Sequence, residues 1–344
     1  MTMKNLETES HSTNKGIKVL LTGCAGLIGS HVAEYLLAKG YLVYGIDNLS
    51  GGYIENVPEG VHFYKGDLHD KEWVASIFGE IKPDYVYHFA AYAAEGLSPF
   101  IRNFNYSNNL LCSVNVINEC IKNNVEKIIF TSSMAIYGKG NPPFKEKDNP
   151  APEDPYGISK YAVELDLKQA YEQFGLRYSI VRPHNVIGIR QNIWDKYRNV
   201  IGIWIRKVLR GESITIFGDG EQKRAFSDIK FCLDPMERLL SRYDTWIFNL
   251  GSDKEYTLNE VANILQEVAK TFGFNPTIEY LEKRHEVKDA YCNHEQAKDF
   301  LEFEDKTDLE ETIREMFIWA MKQEDREVKQ VPYEVEKGMY NYWK

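Results

Sequence analysis

Two serines, Ser132 and Ser133, are followed by Tyr156 and Lys160, and these residue types can together move a proton from a hydroxyl at neutral pH. An apolar run over 127–130 predicts a buried strand that continues into hydroxyl residues ending at Ser133, and Tyr156 and Lys160 open a helical pattern after a proline-rich loop. A lysine ammonium one helical turn from a tyrosine stabilises the tyrosinate and lowers the pKa of the phenol from about 10 toward neutral pH. A tyrosine in that state can take a proton from a substrate hydroxyl.

The Tyr-x-x-x-Lys spacing alone identifies no site, because it recurs along the chain. It is found at Tyr35/Lys39, Tyr156/Lys160, Tyr333/Lys337 and Tyr340/Lys344. Only the second pair follows a strand that ends in serines. A helical Tyr/Lys pair is otherwise typical of a solvated surface, so the interpretation depends on the rest of the sequence.

A glycine-rich loop nearer the amino terminus predicts a dinucleotide site. Apolar residues over 17–21 predict a strand, and Gly23, Gly26 and Gly29 follow before a helical pattern and a second strand that ends at Asp47. In such a unit the first glycine permits a tight turn, the second lets the backbone approach a pyrophosphate, and the third packs helix against strand. Asp47 can bind both ribose hydroxyls and would repel a 2′-phosphate, so NAD is favoured over NADP.

The remaining patterns alternate between strand and helix. Further strands are predicted over 61–64, 85–91, 177–182 and 246–251, and helices over 72–78, 101–123, 156–174 and 258–271. Strands that alternate with helices, without an internal repeat, predict an α/β fold with a Rossmann-type doubly wound parallel sheet. His88 lies in the middle of one such strand and is interpreted as a core histidine rather than a catalytic one.

The periodicity breaks after residue 182, which predicts a second, smaller mixed α/β lobe that binds substrate. The forty residues that follow are interpreted as irregular, aromatic and basic. We expect an NAD-binding domain over 16–182 plus 227–252 and a nucleotide-sugar-binding lobe over 183–226 plus 253–344. Residues 1–15 are polar and are expected to form a flexible tail. The aromatic end of the chain, 331–344, is expected to pack back on the body.

Composition restricts the classes of partner. The 344 residues carry a formal charge of −10, which argues against a general nucleic-acid or anionic-membrane surface. No apolar run approaches the roughly 20 residues that span a bilayer. The five cysteines form no C-x-x-C pair, so we expect buried thiols, a reducing cytoplasm and no metal site.

Together these motifs have the order and spacing of one protein family. They are Thr22-Gly-x-x-Gly-x-x-Gly29, Asp47, Gly66-Asp67, His88-Phe-Ala-Ala91, Asn109, Ser132-Ser133, Tyr156-x-x-x-Lys160, Arg182-Pro-x-Asn185 and Arg224-x-Phe226. The chain from Lys18 to about Asn293 therefore resembles the extended short-chain dehydrogenase/reductase superfamily, in its nucleotide-sugar epimerase/dehydratase branch. The resemblance implies bound NAD, a nucleotide-diphosphate sugar as substrate (a UDP sugar is favoured), and a homodimer formed by the helices over 101–123 and 156–174.

The resemblance also implies roles for single residues. Ser133, Tyr156 and Lys160 would form the catalytic triad. The implied cofactor-binding residues are Gly23, Gly26, Leu27, Ile28, Asp47, Asn48, Asp67, Leu68, Ala90, Ala91, Asn109, Ser132, Tyr156 and Lys160. The implied substrate-binding residues are Ser133, Asn185, Phe217, Arg224 and Arg284.

Met134 and Ala135 indicate which reaction the family resemblance implies. Related 4,6-dehydratases have Asp-Glu at these two positions, decarboxylating relatives have a glutamate at the second, and 3,5-epimerases have a cysteine there. Neither Met134 nor Ala135 can move a proton, and such a pair is typical of the family's 4-epimerases. We therefore expect NAD-dependent epimerisation at carbon 4 of a UDP-hexose or UDP-hexuronate, through a transient 4-keto intermediate.

Two alternatives stay open for the function. A 4,6-dehydratase or a net 4-oxidase would need other acids, such as Glu95, and a non-catalytic NAD-binding protein would not need the complete triad. A further alternative concerns Arg190, Lys196 and Arg198, which exceed what two phosphates need. They could bind a sugar carboxylate or form an exposed basic face.

Overall fold

The fold is built on one large parallel sheet, with three small sheets beside it. The computed structural model describes residues 14–284, 287, 289–327 and 330–343; most of the predicted tail 1–15 lies outside them. The strands are β1 Lys18–Thr22, β2 Leu42–Asp47, β3 His62–Lys65, β4 Tyr85–His88, β5 Lys127–Thr131, β6 Arg177–Pro183, β7 Val186–Ile187, β8 Ile214–Phe217, β9 Lys223–Ala225, β10 Ser227–Asp228, β11 Trp246–Leu250, β12 Glu255–Thr257, β13 Ile278–Leu281 and β14 Asp289–Ala290.

Helices cover both faces of the large sheet and also form a second apolar core beside it. They are α1 Leu27–Ala38, α2 Lys71–Ile81, α3 Arg102–Tyr106, α4 Cys112–Lys122, α5 Pro155–Phe174, α6 Val200–Leu209, α7 Ile229–Arg238, α8 Leu258–Thr271, α9 Glu295–Leu301 and α10 Leu309–Ala320. Among the described residues, no helix combines the length and apolar character that crossing a bilayer requires.

The large sheet confirms the predicted doubly wound fold. Its seven strands run in the order β11-β6-β5-β4-β1-β2-β3, and every pair in it is parallel. Successive side chains point to opposite faces: Leu21 packs with α1, α7 and α9, whereas Leu20 packs with α2, α4 and α5. The strand order reverses between β1 and β4, and ligands of such sheets bind at the carboxyl ends of the strands beside that point.

The expected single helix over 101–123 is interrupted. A π-helical turn over Ser107–Leu111 separates α3 from α4. Such turns widen a helix locally and are frequent at functional sites. Here the turn directs Asn108 into the cavity described below, while Asn109 is buried.

The prediction that the forty residues after 182 are irregular was wrong, because they contain α6. Its segment is rich in β-branched residues and includes Gly202, which all lower helix propensity. Tertiary packing overrides that preference. Trp204, Ile205 and Val208 are buried with side chains of α8 and α10 in a second apolar core.

The end of the chain packs on the body, as predicted. Met339 is buried with Leu97 and Phe100, and Val331 and Tyr333 pack against the same cluster. The helix predicted over 258–271 is confirmed as α8, and a capping box starts it, because Thr257 and Glu260 cap each other's backbone amides.

Candidate active site

The carboxyl ends of β1, β4, β5 and β6 open into a single cavity of about 930 Å³. It holds nearly all of the predicted site residues. The cavity is lined by Gly23, Gly26, Leu27, Ile28, Asp47, Asn48, Asp67, Leu68, Ala90, Ala91, Ser132, Ser133, Tyr156, Lys160, Asn185, Phe217, Arg224 and Arg284. Met134 and Ala135 line it beside Ser133.

The glycine loop and the end of β5 have features that fit a bound dinucleotide. Gly23 has φ +71°, and a Cβ there would lie 2.8 Å from the Ala90 nitrogen. A Cβ on Gly29 would lie 2.2 Å from the Gly23 carbonyl oxygen, so this glycine lets α1 approach the loop. The side-chain oxygens of Thr131 and Ser132 are buried without a hydrogen-bond partner in the described structure. Buried hydroxyls of this kind fit a polar ligand such as NAD, because leaving them unpaired is costly.

Acidic residues lie where the adenosine of a dinucleotide would bind. Asp47 follows β2 and accepts hydrogen bonds from the backbone nitrogens of Ala25 at 3.0 Å and Leu49 at 2.7 Å. Burial nevertheless raises the pKa of this carboxyl. Asp67 accepts from Asn48 at 3.1 Å. It also contacts His69 at 2.6 Å. Burial raises the pKa of Asp67, but hydrogen bonds from the His69 backbone and ring and from Asn48 outweigh that effect and lower it.

One cluster at this end of the cavity contains metal-ligating atom types. Asp67, His69 and Cys112 bring one such atom each within 4.8 Å of one another. Asp67 and His69 are exposed and already hydrogen-bonded to each other. The expected lack of a metal site therefore stays a prediction.

His88 is a buried core residue, as interpreted from the sequence. Its ring lies 2.7 Å from the Thr22 hydroxyl and 2.8 Å from the Ser113 hydroxyl. Burial, together with the charge of Lys160, lowers the pKa of His88 to about 3. A neutral histidine therefore joins β1, β4 and α4 beneath the cavity.

Asn109 lies behind the cavity wall rather than on it. Its amide accepts from the Tyr92 nitrogen at 2.7 Å and donates to the Tyr92 carbonyl at 3.1 Å. These bonds fix the loop after β4, whose Ala90 and Ala91 line the cavity. A direct cofactor contact from Asn109 stays a prediction, and the observed contacts support a positioning role.

The predicted triad comes together at the centre of the cavity. The Lys160 nitrogen lies 6.0 Å from the centre of the Tyr156 ring and donates to the Thr131 carbonyl at 2.8 Å. The Ser133 hydroxyl oxygen accepts from the Ala135 nitrogen at 3.1 Å, and the Ser133 side chain is hydrogen-bonded to Tyr156. Serine thus connects the end of β5 to the tyrosine of α5.

The electrostatics of Tyr156 differ from the sequence expectation. Burial raises the pKa of Tyr156, while the Ser133 hydrogen bond and, more weakly, the charge of Arg198 lower it. Burial also lowers the pKa of Lys160 to about 7, against the attraction of Glu164. Burial has the largest effect on the pKa of Tyr156, and the Ser133 hydrogen bond is the largest effect that opposes it.

Asp154 fixes the position of Tyr156 at the start of α5. Its carboxylate accepts from the backbone nitrogens of Tyr156 at 2.8 Å and Gly157 at 3.1 Å. Ser98 donates to the same carboxylate at 3.0 Å. An aspartate N-cap of this kind stabilises the first turn of a helix, so the tyrosine is held on a rigid element.

A buried ion pair fixes the helix and strand that flank the triad. Glu164, one turn after Lys160, accepts two hydrogen bonds from Arg182 on β6, at 3.0 and 2.6 Å. Arg182 also donates to the Tyr137 hydroxyl at 2.9 Å, which in turn donates to Asn249 at 2.7 Å. This network joins α5, β6 and β11.

The predicted substrate residues surround the other end of the cavity. The amide of Asn185 donates to the Ala225 carbonyl at 2.9 Å. The Arg284 guanidinium lies 4.0 Å from the centre of the Phe217 ring. Arg224 donates to the backbone carbonyls of Lys223 and Val287. Two arginines and an amide therefore line this end of the cavity. His285 and Glu286, which follow Arg284 in the sequence, lie outside the described residues.

Sequence reasoning missed several cavity residues in the second lobe. Asn199, in the left-handed conformation before α6, lines the cavity with Tyr197 and Lys207. Tyr340, Tyr342 and Trp343, from the end of the chain, line it as well. Only their aromatic character was visible in the sequence, since their position depends on contacts across the whole chain.

The basic residues noted in the sequence separate in the structure. Arg190 pairs with Glu34 at 2.9 Å, whereas Lys196 and Arg198 line the cavity. The Arg198 side chain is 11% exposed and pairs with Asp195 at 2.8 Å. Its second terminal nitrogen is buried without a hydrogen-bond partner among the described residues. Arg198 is therefore not part of an exposed basic face.

The chain is similar to one known protein family and to relatives with assigned names. Residues 19–251 match the model of the NAD dependent epimerase/dehydratase family. A putative UDP-glucose 4-epimerase of Methanocaldococcus jannaschii is 32% identical over 312 residues, covering 90% of this chain and 99% of that protein.

Solved structures with the same fold are equally similar. The UDP-glucose 4-epimerase of Thermotoga maritima, solved with UDP-glucose, has a TM-score of 0.83 and 33% identity, covering 89% of this chain and 99% of that one. The UDP-glucose 4-epimerase of Thermus thermophilus, solved with NAD, has a TM-score of 0.83 and 32% identity, with the same coverage.

Proposed function

Because the chain belongs to the NAD-dependent epimerase/dehydratase family, we propose that it interconverts the carbon-4 epimers of a UDP sugar, with NAD as its bound cofactor. One observation carries this proposal. A complete set of Ser133, Tyr156 and Lys160 lines the cavity together with Met134 and Ala135, which have no acid–base chemistry. The site is thus equipped to oxidise a hydroxyl and to restore it, and the positions beside Ser133 offer no group for expelling water or carboxylate.

The residues of the triad divide the proton chemistry. When bound, NAD supplies the hydride acceptor and donor for oxidation at carbon 4 and its reversal. As tyrosinate, the form that the Ser133 hydrogen bond favours against the effect of burial, Tyr156 takes the proton from the O4 hydroxyl and later returns it, while Ser133 orients that hydroxyl. The pKa of Lys160, lowered to about 7, lets its amine hold or release a proton near neutral pH. The 4-keto sugar rotates so that its other face receives the returning hydride, and no net oxidation results.

The second lobe would hold the UDP part of the substrate. Asn185, Arg224 and Arg284 can donate to a diphosphate, and arginine forks suit phosphate oxygens. Phe217 lies beside Arg284 and would contact the uracil. UDP-glucose bound to the Thermotoga maritima relative supports this choice of nucleotide.

Carbon-4 epimerisation is measured directly by NMR. The purified protein is incubated separately with UDP-glucose, UDP-glucuronate and UDP-N-acetylglucosamine. We expect at least one of them to reach a mixture of both carbon-4 epimers without accumulating NADH. A keto product with stoichiometric NADH would instead indicate a net 4-oxidase, and a keto product without it a dehydratase that uses another acid, such as Glu95. Unchanged sugars together with a lack of bound NAD would refute the proposal.

A homodimer through α4 and α5 is also proposed. Ile158 and Leu165 are seven residues apart on α5 and are 41% and 50% exposed, and Leu111 beside α4 is 56% exposed. An apolar stripe at this spacing is typical of a helix that packs against another helix.

The substitution Leu165→Glu is expected to convert the dimer into a monomer, because it would bury two carboxylates at a symmetric contact. Size-exclusion chromatography with light scattering measures the mass. Met321→Glu, at a position that is 40% exposed after α10, is the matched control and should leave the mass unchanged. A monomeric wild-type protein would contradict the proposed dimer.

Two further proposals concern domains and compartment. The division into an NAD-binding domain (16–182 plus 227–252) and a substrate lobe is supported by β11, which extends the large sheet, and by the separate apolar core around α6 and α8. A reducing, cytoplasmic location is supported by five buried, unpaired cysteines.

A further inference from the structure

The last described segment of the chain, residues 330–343, lies against the substrate end of the cavity; we call it the terminal strap. Three of its aromatic residues, Tyr340, Tyr342 and Trp343, line the cavity. We propose that the terminal strap is the outer wall of the nucleotide site and that Tyr342, whose ring is stacked between Phe217 and Tyr340, closes the base end of that site. This inference rests on the proposed function, because it assigns the base end of the same substrate.

The strap is anchored by specific hydrogen bonds. The Glu334 carboxylate accepts from the backbone nitrogens of Asn103 at 2.6 Å and Phe104 at 2.8 Å, in the first turn of α3. The backbone nitrogen of Glu334 donates to the Phe100 carbonyl at 2.8 Å. A carboxylate on unpaired amides at a helix start is a stabilising arrangement. The strap is therefore a fixed part of the fold.

An aromatic cluster fixes the strap near the sugar end. The Tyr333 hydroxyl is hydrogen-bonded to the Tyr197 hydroxyl, and it donates to the Trp343 carbonyl at 3.1 Å. The Trp343 ring lies edge-on to Phe100 at 5.7 Å and to Tyr197 at 5.3 Å. Edge-on pairs at these distances are favourable. Tyr197 and Arg198 both line the cavity, and the charge of Arg198 acts on Tyr156, so this end of the strap borders the cavity beside Arg198.

The same segment also reaches the nucleotide end. The Tyr342 ring lies 4.4 Å from the Phe217 ring, and Tyr340 stacks on Tyr342 at 5.3 Å. The Arg284 guanidinium lies over Phe217 at 4.0 Å. These groups give a stack of planar side chains beside two arginines that can bind phosphate. All four side chains line the cavity, so a uracil joined to a diphosphate would fit beside the apolar stack, with its phosphates near the arginines.

The proposal is tested by titrating UDP into the NAD-loaded protein with isothermal titration calorimetry. Four variants are compared with the full chain: one ending at Gln330, and the single substitutions Tyr342→Ala, Tyr342→Phe and Val335→Ala. We expect the truncation and Tyr342→Ala to weaken UDP binding about tenfold, because the side chain that closes the base end of the site is lost. Tyr342→Phe retains the ring and should bind UDP like the full chain. Val335→Ala, at an exposed position of the strap, should do the same.

The possible results distinguish a failure of the strap proposal from a failure of the proposed UDP-sugar substrate. UDP affinity that is equal or higher in both the truncated protein and Tyr342→Ala would overturn the role of the strap, and higher affinity would identify it as an occupant of the site. UDP that fails to bind even to the full chain would reject the UDP sugar as substrate, and the strap proposal with it. The content of NAD and the melting temperature are measured for each variant. If truncation changes the NAD content or the melting temperature, the strap proposal is judged from the UDP affinities of Tyr342→Ala and Tyr342→Phe alone.

Discussion

The substitution Tyr156→Phe is expected to lower kcat for epimerisation by about 10²–10⁴-fold, the usual contribution of a positioned acid–base group. Tyr156 is nearly buried at the centre of the cavity, where its hydroxyl meets the Ser133 side chain. Phenylalanine fills the same space but cannot take the proton from O4. Because the loss concerns proton transfer, the content of bound NAD and the affinity for UDP should remain those of the wild type.

The control for this experiment lies on the same helix. Tyr161→Phe removes a hydroxyl from a tyrosine that packs in a separate apolar cluster with Ile136 and Phe144, and its kcat should be unchanged. Single-turnover formation of the keto sugar with NMR or absorbance detection would locate the loss in the oxidation step. Equal turnover in wild type and Tyr156→Phe would mean that this tyrosine is not the base, and would favour a role in NAD binding without catalysis.

The largest effect on stability is expected for Glu164→Gln, which leaves the charge of Arg182 buried without its partner. Both side chains are almost fully buried, at 3% and 4% exposure. Removing one partner of a buried ion pair typically costs about 3–5 kcal/mol of unfolding free energy. The amide can keep one hydrogen bond, so the lower end of that range is expected. Urea denaturation with NAD present measures the change.

An exposed ion pair provides the comparison for this substitution. Arg314 and Glu310 pair at 3.0 Å with side-chain exposures of 29% and 60%, and Glu310→Gln should change the free energy of unfolding by less than about 1 kcal/mol. Glu164→Gln should also lower the pKa of Lys160 further, because Glu164 is the charge that opposes the effect of burial there. Equal urea midpoints for the two variants would show that the buried network is dispensable.

Local motifs were predictable from the sequence, and long-range packing was not. The glycine loop with Asp47 and the pair Tyr156/Lys160 depend on residues close together in sequence, where spacing determines geometry. The α6 segment has a poor helix propensity, and packing against the second apolar core stabilises it as a helix. The buried residues Ile201, Trp204, Ile205 and Val208 nevertheless follow the i, i+3, i+4, i+7 spacing of a helix, so this signal was present in the sequence.

The pKa values of the triad were likewise not predictable from the sequence. The sequence predicts that Lys160 lowers the pKa of Tyr156, yet burial dominates both groups in the folded protein. Burial is a property of the whole fold, since α5 must pack against β5 and β6 to create it. The contact of Tyr342 with Phe217 joins residues 125 positions apart along the chain, a separation at which residue type carries no positional information.

The buried cysteines make the folded protein a ready host for chemical labelling. All five thiols are buried, and burial raises the pKa of each, that of Cys112 to about 12. Thiolate is the reactive form, so maleimides and similar reagents would ignore the native thiols as long as the fold is intact. A cysteine introduced at the exposed Val335 would then carry a single fluorophore on the terminal strap. Its emission could follow the arrival and departure of each substrate molecule in real time.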